Sequence, residues 1–245
     1  MKHNLLITVF IGIILLTSCK KDNNAPDTSS LPKTYTEDVR SSAFNSLTVY
    51  NLTYDGNNRL VSMASTPEPS IGKFIYQYAN DNTFTMDLYN SNVLDIHEKF
   101  WVNSSSLVDS TFQYNNTNDS STEKYIYNSG NQLIQRIDYN YYSTGPVLYN
   151  VTNYTYDNTG NVTQESDNLG QTITYEYYMD LPNNLSMGQT YLPVPKNFIR
   201  TASSNSGGTP VTATHFYTFD SNNRLTKDSV STTGIDVVVI KSYTY

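Results

Sequence analysis

One unit returns four times along this chain, and it leaves little choice of fold. Tyr50-Asn51-Leu52-Thr53-Tyr54 alternates large and small side chains, Asp55-Gly56-Asn57-Asn58 follows, and Leu60 opens the next apolar stretch. The arrangement comes back at Tyr125–Tyr127 with Leu133, at Tyr154–Tyr156 with Val162, and at Tyr217–Phe219 with Leu225. In every copy the apolar residue lies six positions after the second aromatic. Period-two alternation is the mark of a strand with one buried face. Asp, Asn and Gly favour tight turns, so each unit reads as a β-hairpin. Weaker copies are Phe74–Tyr78 with Phe84, Ile173–Tyr177 and the terminal Tyr243-Thr244-Tyr245, while Phe100-Trp101-Val102 and Phe198-Ile199 are candidates for missed units. Units of 21 to 29 residues between second aromatics hold two strands each. Parallel pairing would need long crossovers, so the sheet is an antiparallel meander. No sustained 3.6-residue period follows residue 33, so little or no helix is expected. Asn103–Ser106, Asn115–Thr122, Thr66–Pro69 and Ser203–Pro210 read as loops or breaks.

Composition narrows the function classes. The chain has 245 residues, 15 basic and 22 acidic, with a net charge of −7 and no basic cluster. Nucleic-acid phosphates require such a cluster, so nucleic acid is excluded as a partner. A single cysteine excludes a disulfide framework and a thiolate zinc site. The 13% aromatic content and low charge argue for a packed domain.

Met1-Lys2-His3 is followed by the twelve-residue apolar run Leu5–Leu16 and then Thr17-Ser18-Cys19. That run is too short to span a bilayer and matches the apolar region of a secretory signal. Small residues at Thr17 and Ser18 admit a peptidase, and the Cys19 thiol is a nucleophile suited to alkylation. The segment resembles the lipobox of bacterial lipoproteins. That resemblance implies cleavage of residues 1–18 and lipid attachment at Cys19, with the bilayer as the first partner. Residues 19–44, rich in Ser, Pro, Asn and Asp in their first half, read as a flexible tether, and 45–245 as the all-β repeat domain. Ser18-Cys19-Lys20-Lys21-Asp22 resembles Bacteroidetes lipoproteins, some of which carry an acidic run here that directs them to the surface. Asp22 stands alone beside two lysines, which leaves both the cell surface and the periplasmic face of the outer membrane open.

The repeats carry two further resemblances. The Tyr-x-Tyr-Asp units resemble the tyrosine–aspartate repeats of the RHS group, although the spacing is irregular and no unit carries the full glycine-arginine-tyrosine run. Residues 45–245, with the Leu192–Ile199 segment before two closing hairpins, resemble a family of Bacteroidetes lipoproteins of unknown function with a porin-like fold. That resemblance implies an all-β antiparallel meander rolled into a barrel or half-barrel, and it transfers no catalytic residue.

A barrel invites the question of whether it sits in the membrane. Aromatics facing lipid along full strands would leave tyrosine hydroxyls in hydrocarbon, at about 1–3 kcal/mol for each unpaired hydroxyl. Aromatics inward, with Thr and Asn outward, is the cheaper arrangement, and it favours a tethered domain over an integral outer-membrane barrel.

Chemical motifs are scarce. After cleavage only His97 and His215 remain, and His97-Glu98 lacks the second histidine of a helical zinc motif. Neither histidine specifies a metal or catalytic role by itself. No nucleophile elbow, phosphate loop or dinucleotide glycine pattern is present, so no catalytic residue, metal or cofactor is assigned. Asp55, Asp157 and Asp220 recur at equivalent turn positions, but each offers one carboxylate where calcium needs six to eight oxygens. An Asx-turn role is the stronger reading, with Arg59 and Arg224 paired across the turn to Asp55 and Asp220. Asp109-Ser110-Thr111 and Asp228-Ser229-Val230 resemble a short O-glycosylation signal of Bacteroidetes envelope proteins, which would modify Ser110 and Ser229. Trp101, Tyr139, Tyr141 and Tyr142 are candidate aromatic platforms for sugar rings. The expectation is a non-catalytic envelope lipoprotein that binds a glycan, a peptide or an envelope protein. An integral outer-membrane barrel and a hydrolase with an unrecognised site are the alternatives.

Overall fold

The computed structural model describes residues 31–66, 72–79, 82–117, 119–185, 187, 194–205 and 210–245. The signal segment 1–18, Cys19, the tether up to residue 30, Pro67, Pro69, Leu192, Pro193 and residues 206–209 lie outside them. The described chain runs through β1 (Thr34–Ser41), β2 (Asn45–Tyr54), β3 (Leu60–Thr66), β4 (Lys73–Tyr78), β5 (Thr83–Asn90), β6 (Val93–Val102), β7 (Val108–Asn115) and β8 (Ser120–Tyr127). It continues through β9 (Leu133–Tyr142), β10 (Gly145–Tyr156), β11 (Val162–Asp167), β12 (Thr172–Pro182), β13 (Asn197–Ser204), β14 (Val211–Phe219), β15 (Leu225–Thr232) and β16 (Val237–Thr244). Every strand pairs antiparallel with its sequence neighbours, and β1 pairs with β16 from Thr34↔Thr244 to Ser41↔Val237. The result is a closed up-and-down barrel of 16 strands, with no helix among the described residues. Closure leaves no edge strand with unpaired backbone groups.

The six-residue spacing is a cross-strand pair. Tyr54 faces Leu60, Tyr127 faces Leu133, Tyr156 faces Val162 and Phe219 faces Leu225, each beside a register shift. Phe100-Trp101-Val102 ends a fifth such hairpin, with Val102 facing Val108. One turn chemistry serves them all. The Asp55 carboxylate accepts the amides of Asn57 and Arg59, while the Asp55 amide bonds the Arg59 carbonyl. Asn103, Asn115, Asn128, Asp157, Asp167 and Asp220 each accept the amides two and four residues on in the same way. The residue three positions after the Asx adopts positive φ, as at Asn58 (59°), Asn131 (61°), Gly160 (93°) and Asn223 (60°). This is a type I turn closed by a left-handed residue, which bulges the strand and explains the register shift.

Alternation sorts the two faces. In β2 Leu52 is buried and Tyr54 half-buried, while Asn51 and Thr53 are exposed. The aromatic units thus point into the barrel, as the cost of desolvating hydroxyls requires. Their hydroxyls still find partners. Tyr54, Tyr78, Tyr127, Tyr156, Tyr177, Tyr217 and Tyr245 donate to the carbonyls of Pro32, Leu60, Val108, Leu133, Val162, Ile199 and Leu225, at 2.6 to 2.9 Å. Each hydroxyl therefore reaches back to the start of the adjacent preceding strand, the return strand of the hairpin before it, or to the segment entering β1. Arg59 pairs with Asp55 at 2.6 Å and lies 4.1 Å over the Tyr78 ring, and Arg224 pairs with Asp220 at 2.7 Å and lies 4.3 Å over Tyr245. Where the tyrosine is missing, Phe84 and Phe100 stack with centroids 4.3 Å apart.

The turn end of the barrel also takes in the β12–β13 connection. Leu185 is 3% exposed and clusters with Phe198, Leu225 and Tyr243, with Leu181, Met187 and Val194 packed around them. Asn161, fully buried, donates to Asn197 Oδ1 and accepts the Asn197 amide, which ties this connection to the β10–β11 turn.

Three sequence expectations differ from the structure. The sheet begins at Thr34, inside the stretch read as tether, because Tyr35, Glu37 and Val39 alternate toward the lumen opposite Tyr243, Lys241 and Val239. Ser120–Thr122 belong to β8, since their polar side chains suit the solvated face and rim. Phe198-Ile199 opens a return strand instead of closing an aromatic one, with Ile199 facing Tyr177.

Removing one ladder hydroxyl tests this account. Tyr127→Phe leaves the Val108 carbonyl without its donor and is expected to cost about 0.5–1.5 kcal/mol, lowering Tm by a few degrees. Tyr142→Phe, at a ring 60% exposed, is expected to leave Tm unchanged, and calorimetry reads both.

Candidate functional site

The outer wall is mostly small and polar. Around β11 to β15 its outward rows read Gln164–Thr174–Ser203–Thr212 and Glu176–Thr201–Thr214–Ser231. The four strands β6 to β9 depart from this. Their outward rows are His97–Tyr114, Lys99–Phe112–Thr122–Tyr139 and Trp101–Ser110–Lys124–Ile137, with Ser120–Tyr141 continuing the first. Ser110 and Thr122 are small residues enclosed by large ones, and a groove of about 400 Å³ opens above them. Trp101, Phe112, Tyr141 and Lys124 form its walls, and Asp109 its one carboxylate. Trp101 is 37% and Tyr141 39% exposed, and Phe112 meets Tyr141 edge-on at 6.1 Å.

Of the aromatic platforms expected from sequence, Trp101 and Tyr141 line this groove and Tyr139 stands beside it. Tyr142 faces Gly145 at the β9–β10 hairpin tip and is not part of it. Phe112 and the two lysines completed the group unforeseen, because it is the register between the β6–β7 and β8–β9 hairpins that sets them beside the expected aromatics. Ser110 is on the groove floor and Ser229 lies mid-strand opposite Phe216, both half-buried. Asp228, the residue before Ser229, is turned into the lumen.

Both histidines have carboxylate partners that sequence reasoning missed. On the outer wall His97 Nδ1 lies 2.5 Å from Asp87 Oδ1, with Tyr114 against the ring. In the lumen His215 Nδ1 lies 3.1 Å from both oxygens of Asp228, which is 2% exposed. Lys241 is the cross-strand partner of both Asp228 and Glu37. No hydroxyl or thiol nucleophile is bonded to either imidazole among the described residues. The turn aspartates are equally committed: burial opposes ionisation of Asp55, yet the Arg59 and Asn57 amides and the Arg59 guanidinium hold its carboxyl below the usual range. Four acceptor contacts consume the lone pairs that calcium would need. No group of three or more His, Cys, Asp or Glu is placed to hold a metal ion among the described residues.

A second polar belt crosses the lumen from β6 to β12. Glu98, hydrogen-bonded to Thr111, faces Glu123, and Glu123 accepts the Tyr125 hydroxyl. Arg136 pairs with Asp138 at 3.0 Å, and Glu165 accepts the Tyr175 hydroxyl at 2.8 Å. Burial, reinforced by the Glu123 charge, pushes Glu98 up to about 7. Burial likewise raises Asp138, against the pull of Arg136. Asn150 Oδ1, opposite Asp138, is buried without a hydrogen-bond partner. These groups are invisible to local motifs, since seven strands, β6 to β12, contribute them.

No family model matches the chain, and no curated protein matches it. Among solved structures it resembles a porin-like protein from Bacteroides uniformis, with 14% identity and a TM-score of 0.64 over 91% of this chain and 99% of that one. A TcdB2–TccC3–TEV structure overlaps 80% of this chain and 13% of its own, with 12% identity and a TM-score of only 0.24. At this identity the porin-like neighbour establishes the fold.

The raised carboxyl sets a pH dependence. Glu98 keeps its proton longer in the folded barrel than in the unfolded chain, so stability falls as pH rises from about 4.5 to about 7 and levels off above. Glu98→Gln, which keeps a partner for Thr111, is expected to raise Tm at pH 8, to change it little at pH 4.5, and to flatten the profile between. Thermal melts across that range read the result.

Proposed function

We propose that the protein is a non-catalytic envelope lipoprotein, anchored through Cys19, whose barrel stands outside the bilayer and binds a glycan in the β6–β9 groove. What supports the reading best is the contrast on the outer wall: rows of mainly small polar residues over β11 to β15, where Phe216 is exposed, and a cluster of exposed aromatic rings around a polar-floored groove at β6 to β9. Aromatic faces take the apolar faces of pyranose rings, while Ser110, Thr122 and Asp109 supply hydroxyl and carboxylate partners for sugar hydroxyls. The polar outward rows and the ion pair of Arg200 with Glu176 at 2.7 Å suit water and not hydrocarbon. The sugar-stacking role of Trp101, Tyr139 and Tyr141, lipid attachment at Cys19 and membership of the porin-like lipoprotein family are parts of this proposal.

Two measurements test it. A chain starting at Asp22 is expected to remain monodisperse without detergent, whereas aggregation rescued by detergent would favour an integral outer-membrane barrel. Trp101→Ala is expected to weaken glycan binding at least about tenfold with Tm little changed, since the ring is partly exposed. Unchanged affinity for every glycan that binds would move the site elsewhere.

A further inference from the structure

The groove's charge is out of keeping with the rest of the chain. The protein carries −7 overall, yet two ammonium groups flank the aromatic rings. Lys99 Nζ lies 5.2 Å from the Trp101 ring centroid, and Lys124 Nζ lies 5.7 Å from that of Tyr139. Neither forms an ion pair among the described residues, although Asp109 lines the same groove and the Asp87–His97 pair lies one row away. The ring faces hold the two cations in place of carboxylates. Lys124 and Trp101 share one cross-strand row with Ser110 between them, so their backbones are about 10 Å apart. A sugar ring seated over Ser110 would then have an aromatic face on one side and an ammonium on the other.

We infer that the groove selects carboxylate-bearing sugars, uronic acids within an acidic glycan, with Lys124 and Lys99 receiving the carboxylates and Trp101 the ring face. This deepens the glycan-binding reading and rests on it. Asp109 does not cancel the preference, because it is one carboxylate in a groove lined by Lys124 and flanked at Trp101 by Lys99, and it can accept sugar hydroxyls. Steering by exposed charges is screened by salt, which gives the inference its own signature.

The probe is an oligogalacturonate, compared with its methyl ester, which keeps the rings and removes the charge. Calorimetric titration of the intact chain is expected to show the acid binding about tenfold more tightly than the ester, with the difference shrinking as salt rises. Lys99→Gln with Lys124→Gln is expected to bring the acid down to the affinity of the ester. Equal affinity for acid and ester, or a double variant that binds the acid as the parent does, would overturn the acidic preference and leave the glycan groove standing. No binding of either probe, together with Trp101→Ala indifferent across a neutral glycan panel, would overturn the groove as well. Melting curves of each variant separate lost binding from lost fold.

Discussion

The hydrogen bond from an inward tyrosine to a carbonyl at the start of the preceding strand is the contact on which the barrel depends. A 16-stranded barrel is wide, and wide barrels tend to be hollow, so its wall gains little from side chains meeting across the lumen. Tyrosine answers that difficulty locally. Its ring covers apolar surface along the wall, and its hydroxyl is satisfied by a main-chain oxygen on the adjacent preceding strand, as from Tyr156 to Leu133 and from Tyr177 to Val162. Because the acceptor is main chain, the contact tolerates a change of the residue behind it, and Leu, Val, Ile and Pro all serve. The repeat persists because the same local solution works at each hairpin.

Much of this was legible because it is local. The six-residue interval between Tyr54 and Leu60 contains both ends of a strand pair, its turn and its bulge, and a reader needs no distant residue to see it. Arg59 and Arg224 were paired to Asp55 and Asp220 for the same reason. What escaped depends on closure or on register across several strands. Thr34–Ser41 lacks the paired aromatics, and its pairing with Val237–Thr244, some two hundred positions away, is a matter of barrel closure. The Glu98–Glu123 approach and the burial of Leu185 are contacts between hairpins, and no interval within a unit encodes them, while the His215–Asp228 pair lies within the β14–β15 hairpin but outside its six-residue interval. The groove lies between these cases: Trp101, Tyr139 and Tyr141 stand out as aromatics, but their grouping with Phe112 and Lys124 is a matter of cross-strand rows.

The lumen is not lined as a simple conduit. At the turn end the β12–β13 connection places Leu185 against Leu225, Phe198 and Tyr243, which fills space that an open channel would leave to water. Further along the wall lies a belt of carboxylates with few cations, in which Glu98 is held near neutrality by burial and by Glu123. Such a belt costs stability at neutral pH, and the wall carries that cost because the tyrosine ladder and the turn bonds lie elsewhere in the same strands.

Fold likeness to a porin-like protein therefore has to be weighed against chemistry. A membrane barrel presents an apolar band to lipid and keeps polar groups inside. Here the repeat tyrosines face the lumen and whole rows of threonine and serine face out, although Phe216 and the β6–β9 aromatics are also on the outer wall. Moving Arg200 and Glu176, or Asp38 and Arg40, into hydrocarbon would cost about 2–4 kcal/mol for each basic group near mid-depth. A lipid on Cys19 would place the same barrel at the membrane without that cost, and would leave the β6–β9 groove facing water, where an aromatic and cationic surface can meet a sugar. The fold is porin-like, and the polar outward rows are what the proposal of a barrel standing in water rests on.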